Sequence, residues 1–186
     1  MAAQKKPADT TIYQLKISLA DTKPPIWRRV QVLSSTTLQE LHFIIQESMG
    51  WYNSHLHQFL IDGVEYGKPA PEYDFHVTDE AKVKLSKVVG VEKAKFLYTY
   101  DFGDGWDHTI LVEKILPRDP KVIYPICIKG KRACPPEDCG GPWGYVEFLE
   151  AIQNPSHPDH DNMLEWIDGA FDPEEFDLDE VNQRLA

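Results

Sequence analysis

Cysteine is scarce in this chain: Cys127, Cys134 and Cys139 are the only three in 186 residues, an odd number that cannot all pair internally. A disulfide-stapled scaffold is thereby excluded, and a chain of this length can bury a core without covalent support. Long apolar runs are missing too. The polar stretch 1–10 carries Lys5 and Lys6 and leads into no hydrophobic segment of signal-peptide or membrane-spanning length. The expectation is a soluble, cytoplasmic protein with no membrane partner. Basic residues are outnumbered, 19 against 30 acids, for a net charge of −11. The deficit is local, because residues 154–186 hold ten acids and one base, Arg184. That field repels phosphate and disfavours nucleic acid as a partner, whereas a basic protein suits the acidic end.

Several chemical frames are also absent. There is no Gly-x-Ser-x-Gly elbow, no Cys-x-x-Cys pair and no Gly-rich phosphate loop. Asp101-Phe102-Gly103 matches the magnesium-binding triplet of protein kinases, but no His-Arg-Asp loop accompanies it and the chain is too short for that fold. Nucleophilic catalysis therefore lacks a frame. Whether the protein is an enzyme stays open, with a non-catalytic binding or interaction module as the leading expectation.

What is present is clear periodicity. Ile12, Leu15, Ile17 and Leu19 suggest a half-buried strand, and Ile26, Arg28, Val30 and Val32 a second one beyond the turn at Pro24-Pro25. Thr37 and Glu40 have capping-box spacing before Leu38, Leu41, Ile44, Ile45 and Met49, a helix that Gly50 is placed to end. A strand over 55–61 turns at Asp62-Gly63 into 64–66, and 68–79 is predicted to be a loop. Val83 and Leu85 suggest a short strand. Phe96, Tyr98 and Tyr100, a tip at 101–105, and Trp106, His108, Ile110 and Val112 make the clearest hairpin. A strand over 122–128 and a glycine- and proline-rich loop over 129–144 follow, then three helical segments.

These elements predict an α+β fold: a mostly antiparallel sheet of about six strands built from hairpins, one long helix packed on it, and a C-terminal cluster of about three helices. Residues 1–10 are expected to be a flexible N-terminus. Residues 11–186 are expected to form one domain with an acidic helical end from about residue 142.

The candidate chemistry lies in three places. Asp101, Asp104, Trp106 and His108 crowd the hairpin tip, where carboxylates either bond neighbouring amides or offer themselves to a ligand. On a strand, His55 and His57 would share a face, so they either bond across the sheet or share a metal with a tip carboxylate. The thiols of Cys134-Pro-Pro-Glu137-Asp138-Cys139, with Cys127 upstream, raise a zinc reading, with His157 or His160 as a distant fourth ligand, but four intervening residues are at the wide end of the usual spacing. Of these, His55, His57, Asp101, Asp104, Trp106, His108, Cys134, Glu137 and Asp138 form the predicted binding pocket together with Trp143. No cofactor is required, and a divalent metal is admissible. The alternative to a binding module is a metal-dependent hydrolase or nuclease using His55, His57, Asp101, Asp104 and His108. The Arg28-Arg29 and Lys129, Lys131, Arg132 clusters are expected to be solvated surface charges.

Four segments together carry a resemblance: Lys23-Pro-Pro-Ile-Trp-Arg-Arg29; Trp51 with His55-Leu-His-Gln-Phe59; Tyr98-Thr-Tyr-Asp-Phe-Gly-Asp-Gly-Trp-Asp-His108; and Ala133-Cys-Pro-Pro-Glu-Asp-Cys-Gly-Gly-Pro-Trp-Gly-Tyr145. In that order they resemble the plasmid pRiA4b ORF-three-like family, from about Tyr13 to Val181. The resemblance implies a compact α+β domain and an association with plasmids and mobile elements. It implies no catalytic residue. A DNA-associated accessory role is a further alternative resting on that association alone, since the chain has no serine-recombinase context and no basic tail.

Overall fold

The computed structural model describes residues 11–71 and 76–186, so the expected flexible segment 1–10 and part of the predicted loop over 68–79 lie outside the described residues. Among the described residues eight strands form one mixed sheet, joined by five α-helices in an α+β arrangement. The strands are β1 (Thr11–Leu19), β2 (Trp27–Leu33), β3 (His57–Ile61), β4 (Val64–Gly67), β5 (Thr78–Asp79), β6 (Lys95–Tyr100), β7 (Trp106–Pro117) and β8 (Ile126–Lys131). Their order across the sheet is β5-β4-β3-β6-β7-β1-β2-β8. All pairs are antiparallel except β4 with β5.

Register makes one face of this sheet continuously apolar. Leu15 lies opposite Val30 on one side and Val112 on the other, while Tyr98 lies between Phe59 and His108. Because side chains alternate along a strand, the same face receives His57, Tyr100 and Trp106, which pair across β3, β6 and β7. The helix α1 (Leu38–Met49) covers it with Leu38, Leu41 and Ile45, all fully buried. Each such side chain contributes roughly 1.5–3 kcal/mol by leaving water. The predicted capping box is present in full, with Thr37 and Glu40 each accepting from the other's backbone amide, and Gly50 closes the helix in the left-handed conformation.

The last turn of α1 has no base of its own, and two arginines from elsewhere supply the missing positive charge. Arg28 Nε donates to Ser48 O at 2.9 Å and Arg184 Nε to Glu47 O at 3.0 Å. Arg28 is buried beneath the Phe176 ring and Arg29 grips Glu113, so neither is the solvated surface charge the sequence suggests. Alternation places Arg28 on the same face as Val30 and Val32, and that face is the buried one, where the Ser48 carbonyl at the end of α1 satisfies the guanidinium.

Other expectations need correction. The sheet has eight strands and is mixed, because β5 adds a short parallel edge beside β4. The strand predicted around Val83 and Leu85 is instead a turn of 3-10 helix (Glu80–Lys82), started by Asp79 accepting from Ala81 N, and a short helix α2 (Leu85–Val88). β8 starts four residues later than predicted, immediately after Pro125, whose missing N–H cannot join a ladder. The closing helices α3 (Gly141–Gln153), α4 (His160–Trp166) and α5 (Leu178–Leu185) do not make one cluster: α3 and α4 pack on each other, whereas α5 packs on α1 and β8.

A polar chain threads the core between α1 and the sheet. Gln46 Nε2 donates to the Tyr98 hydroxyl at 3.0 Å, which leaves that hydroxyl to donate to His42 Nδ1 at 2.7 Å. The tautomer follows: His42 Nε2 carries the proton and donates to Asn53 Oδ1 at 2.8 Å. The His42 ring stacks on His57 at 3.4 Å, and His57 Nε2 donates to the buried Glu80 carboxylate at 2.9 Å. Burial, with His57 alongside, lowers the His42 pKa to about 3. Burial likewise lowers His108 to about 4. Both folded values lie below the unfolded one, so their stabilising contribution is complete above about pH 6.5 and is lost as pH falls toward 4 and then 3. Each histidine then costs up to roughly 1.4 kcal/mol per pH unit within its window. The imidazole nitrogen resonances of both are expected to stay at their neutral positions from pH 8 to about pH 5, and a midpoint near 6.5 for either would contradict the buried, neutral assignment.

Candidate functional site

The site is built where the β6–β7 hairpin tip meets two other segments. The ladder between β3 and β6 ends at the pair His57 and Tyr100, and Asp101 N then donates to Leu56 O at 2.9 Å. His55 is therefore held beside the tip by the same register that ends the strand. Asp101 turns the chain with a φ of 54°, and its Oδ1 accepts from Gly103 N at 3.0 Å. This fixes the carboxylate and leaves Oδ2 toward His55 Nε2, 3.7 Å away.

The loop after β8 supplies the third side. Trp51 Nε1 donates to Pro135 O at 2.9 Å, and the Tyr100 hydroxyl donates to Glu137 in a short hydrogen bond. Burial and the neighbouring Glu137 carboxylate raise the Tyr100 pKa, so it remains a donor. Beside this anchored pair Asp138 projects with its side chain 69% exposed, its Oδ1 3.0 Å from His55 Nε2. His55 Nε2 is closed to solvent yet makes no aligned hydrogen bond. The ligand atoms of His55, Asp101 and Asp138 all lie within 4.8 Å of one another, close enough among the described residues to share a metal ion.

Close backbone packing locks the tip onto the start of α3. Gly140 N donates to Asp104 Oδ2 at 3.1 Å, and a Cβ on Gly141 would fall 2.2 Å from Asp104 O. At Gly144 a Cβ would fall 1.9 Å from Cys139 O. Gly141 and Gly144 are thus demanded by contact distance, and the backbone angle adds its own demand at Gly141, with a φ of 70°, and at Gly140, with a φ of 90°.

Two adjoining cavities open beside this junction. One, about 610 Å³, is lined by Glu147, Phe148, Glu150, Asp159 and Met163 of the α3–α4 region. The other, about 510 Å³, is lined by Trp51, Tyr52, Cys134, Glu137 and Phe171. Asp138 and Trp166 line both.

Of the residues expected from sequence, His55, Asp101, Asp104, Glu137 and Asp138 come together here, and Cys134 lines the second cavity. His57 and His108 do not join them. The strand starts at His57 and not at His55, so alternation does not align the two histidines; His57 points inward to Glu80, and His108 is fully buried with Nδ1 donating to Trp106 O at 2.9 Å. Trp106 is buried on the same inner face. Trp143 is 85% exposed on the first turn of α3 and is not among the lining residues. Burial pushes the thiols of Cys134 and Cys139 up to about 12, and neither belongs to the His55 donor group. His160, one proposed fourth ligand, instead spends Nδ1 on Ala151 O. Sequence reasoning missed Glu147, Glu150, Asp159 and Trp166; the three-residue spacing of Glu147 and Glu150, which puts both on one side of α3, was the available signal.

The model for the plasmid pRiA4b ORF-3-like protein family matches residues 11–180, which span all eight strands and the locked junction. The chain belongs to this family. It is 38% identical over 177 residues to the uncharacterized protein y4hQ of Sinorhizobium fredii, covering 94% of this chain and 91% of that one. It is also similar to the crystal structure of a protein of unknown function, MM3350 from Methanosarcina mazei Go1, with 41% identity and a TM-score of 0.86 over 93% of this chain and 98% of that one. The pRiA4b ORF-3-like fold is therefore shared almost end to end with an archaeal protein. Among the described residues, no helix is long and apolar enough to cross a membrane.

The backbone contact at Gly141 yields a direct test. Gly141→Ala is expected to destabilise the fold by about 2 kcal/mol or more, from a left-handed alanine and a collision with backbone. Gly90→Ala, where a Cβ meets nothing within 4 Å, should stay within about 0.5 kcal/mol of the parent. Urea midpoints compare the two, and equal midpoints would disprove the tight packing.

Proposed function

We propose that the protein is a non-catalytic binding module whose groove takes a basic, Lys- or Arg-bearing segment of a partner protein. The observation that carries this reading is the lining of the two adjoining cavities. Glu137, Asp138, Glu147, Glu150, Asp159 and Asp168 contribute carboxylates, and none of the described lining residues is Lys or Arg. Between the acids lie Trp51, Tyr52, Phe148, Met163, Trp166 and Phe171. Long basic side chains suit such a groove, because their methylene stems and cationic heads favour aromatic faces while the heads reach carboxylates at the rim. Tyr52 and Trp166 leave much of their rings exposed, as unfilled contact surface would.

The charge distribution along the chain supports the same partner. Four of the six groove acids, Glu137, Asp138, Glu147 and Glu150, come before the acid-rich stretch 154–186, so the groove concentrates charge beyond what the tail alone provides. Phosphate would meet the same carboxylates as repulsion, which argues against a nucleic-acid ligand in this groove. The three free thiols suit the reducing cytoplasm, where we locate this binding.

Each exposed groove carboxylate is worth about 0.3–0.5 kcal/mol to a cationic ligand, so three together are worth roughly tenfold in affinity. A fluorescent peptide alternating lysine with leucine is expected to bind the full chain at low salt and to weaken steeply as salt rises. The triple variant Glu147→Gln, Glu150→Gln, Asp159→Asn should bind it about tenfold more weakly. No binding at low salt, or unchanged affinity in the triple variant, would overturn the reading.

A further inference from the structure

We propose that His55, Asp101 and Asp138 form a three-ligand site for a divalent transition-metal ion of the zinc or manganese type. The three side chains come from separate segments: the entry to β3, the tip of the β6–β7 hairpin, and the loop after β8. They offer one imidazole nitrogen and two carboxylate oxygens, a donor set that suits Zn²⁺ and Mn²⁺ and leaves further coordination positions open. This is not the set that spacing alone suggests, since His57 and His108 point into the core.

Distances decide in favour of a shared ion. Four ligands about 2.1 Å from a tetrahedral ion stand roughly 3.4 Å apart. His55 Nε2 is 3.0 Å from Asp138 Oδ1 and 3.7 Å from Asp101 Oδ2, so two edges of the triangle bracket that value. The third edge, between the two carboxylates, is at most 4.8 Å and closes by movement of the exposed Asp138. His55 Nε2 itself supplies the independent indication. It is shut off from water and has two carboxylates in reach, yet it aligns a hydrogen bond with neither. A nitrogen that served only as an ion-pair donor would aim its N–H at one of them.

The supporting contacts are those of a held site. Gly103 N fixes the Asp101 carboxylate, the Tyr100 ring meets the His55 ring edge-on at 5.8 Å, and Tyr100 also anchors Glu137 next to Asp138. Outer contacts of this type orient first-contact ligands and raise metal affinity. The ion would stand at the edge of both cavities through Asp138, where it would offset part of their negative charge.

The proposal does not rest on the peptide reading, and one residue separates the two. Calorimetric titration of the full, metal-stripped chain with Zn²⁺ is expected to give one equivalent bound, with Mg²⁺ at least a hundredfold weaker. His55→Ala should lose at least a hundredfold in Zn²⁺ affinity while still binding the lysine–leucine peptide; Asp138→Asn should weaken both ligands. Mn²⁺ added to the parent should broaden amide resonances around residues 55, 101 and 138 first. Unchanged Zn²⁺ stoichiometry and affinity in His55→Ala, absence of binding by the parent, or broadening centred on other histidines would each overturn the site. A parent that binds Zn²⁺ but not the peptide would leave the metal site standing and remove the groove reading.

Discussion

The contact between Asp104 and the Gly140–Gly141 backbone is the constraint on which the rest of the site depends. It joins the tip of a hairpin whose strands lie in the middle of the sheet to the first turn of α3. Because the approach is backbone to backbone, little adjustment can occur without breaking it. The loop over 132–139 is stretched between this point and the end of β8, and its backbone acquires a fixed course as a consequence. Trp51 and Tyr100 pin it from below, through Pro135 and Glu137. Residues more than 30 positions apart in sequence therefore meet as one surface.

Two tyrosines on β6 connect that surface to the core. Tyr98 and Tyr100 point to the same face two residues apart, yet their hydroxyls serve different ends. Tyr98 is wholly enclosed and completes the chain from Gln46 through His42 to Asn53, whose backbone amide in turn donates to Gln46 Oε1. Tyr100 reaches the rim and holds Glu137 while accepting from Ser54 N. The segment carrying His55 is thus fixed on both sides, at Asn53 by the core network and at Ser54 by the rim tyrosine. A satisfied buried network is stiff, since breaking any member leaves a polar group without a partner in a medium that cannot hydrate it. That stiffness is what lets the edge of the site be defined while Asp138 remains exposed.

Much of this was legible in the sequence, for reasons that differ by element. The capping box at Thr37 and the glycine at Gly50 delimit α1 because both act through local hydrogen bonds. The aromatic hairpin was equally plain, as alternation and a glycine-rich tip agree. The elements misread were those whose state depends on distant partners. Val83 and Leu85 alternate as a strand would, but Leu38 N donates to Val83 O and Leu85 N to Thr36 O, and these bonds dock the segment against the start of α1 as turns. Arg28 looked like a surface charge because nothing local reveals that the end of α1 needs a cation there. The helices at the chain's end were detectable from their apolar spacing, but not that α5 would leave the other two for α1 and β8.

The candidate site shows the same division more sharply. Composition nominated the tip, the His55 to His57 strand and the Cys134 to Cys139 loop, and parts of all three do converge. What sequence could not assign was direction, and direction depends here on where a single ladder stops. Had β3 begun at His55, both histidines would have faced the core. Because Asp101 enters the left-handed region immediately after Tyr100, pairing ends at His57 and the chain before it bends away. His57 remains inside with Glu80, and His55 is released toward Asp101 and Asp138. One positive backbone angle thus separates a structural histidine from an available one, and puts the available one beside the only tip carboxylate that Gly103 N holds by hydrogen bond.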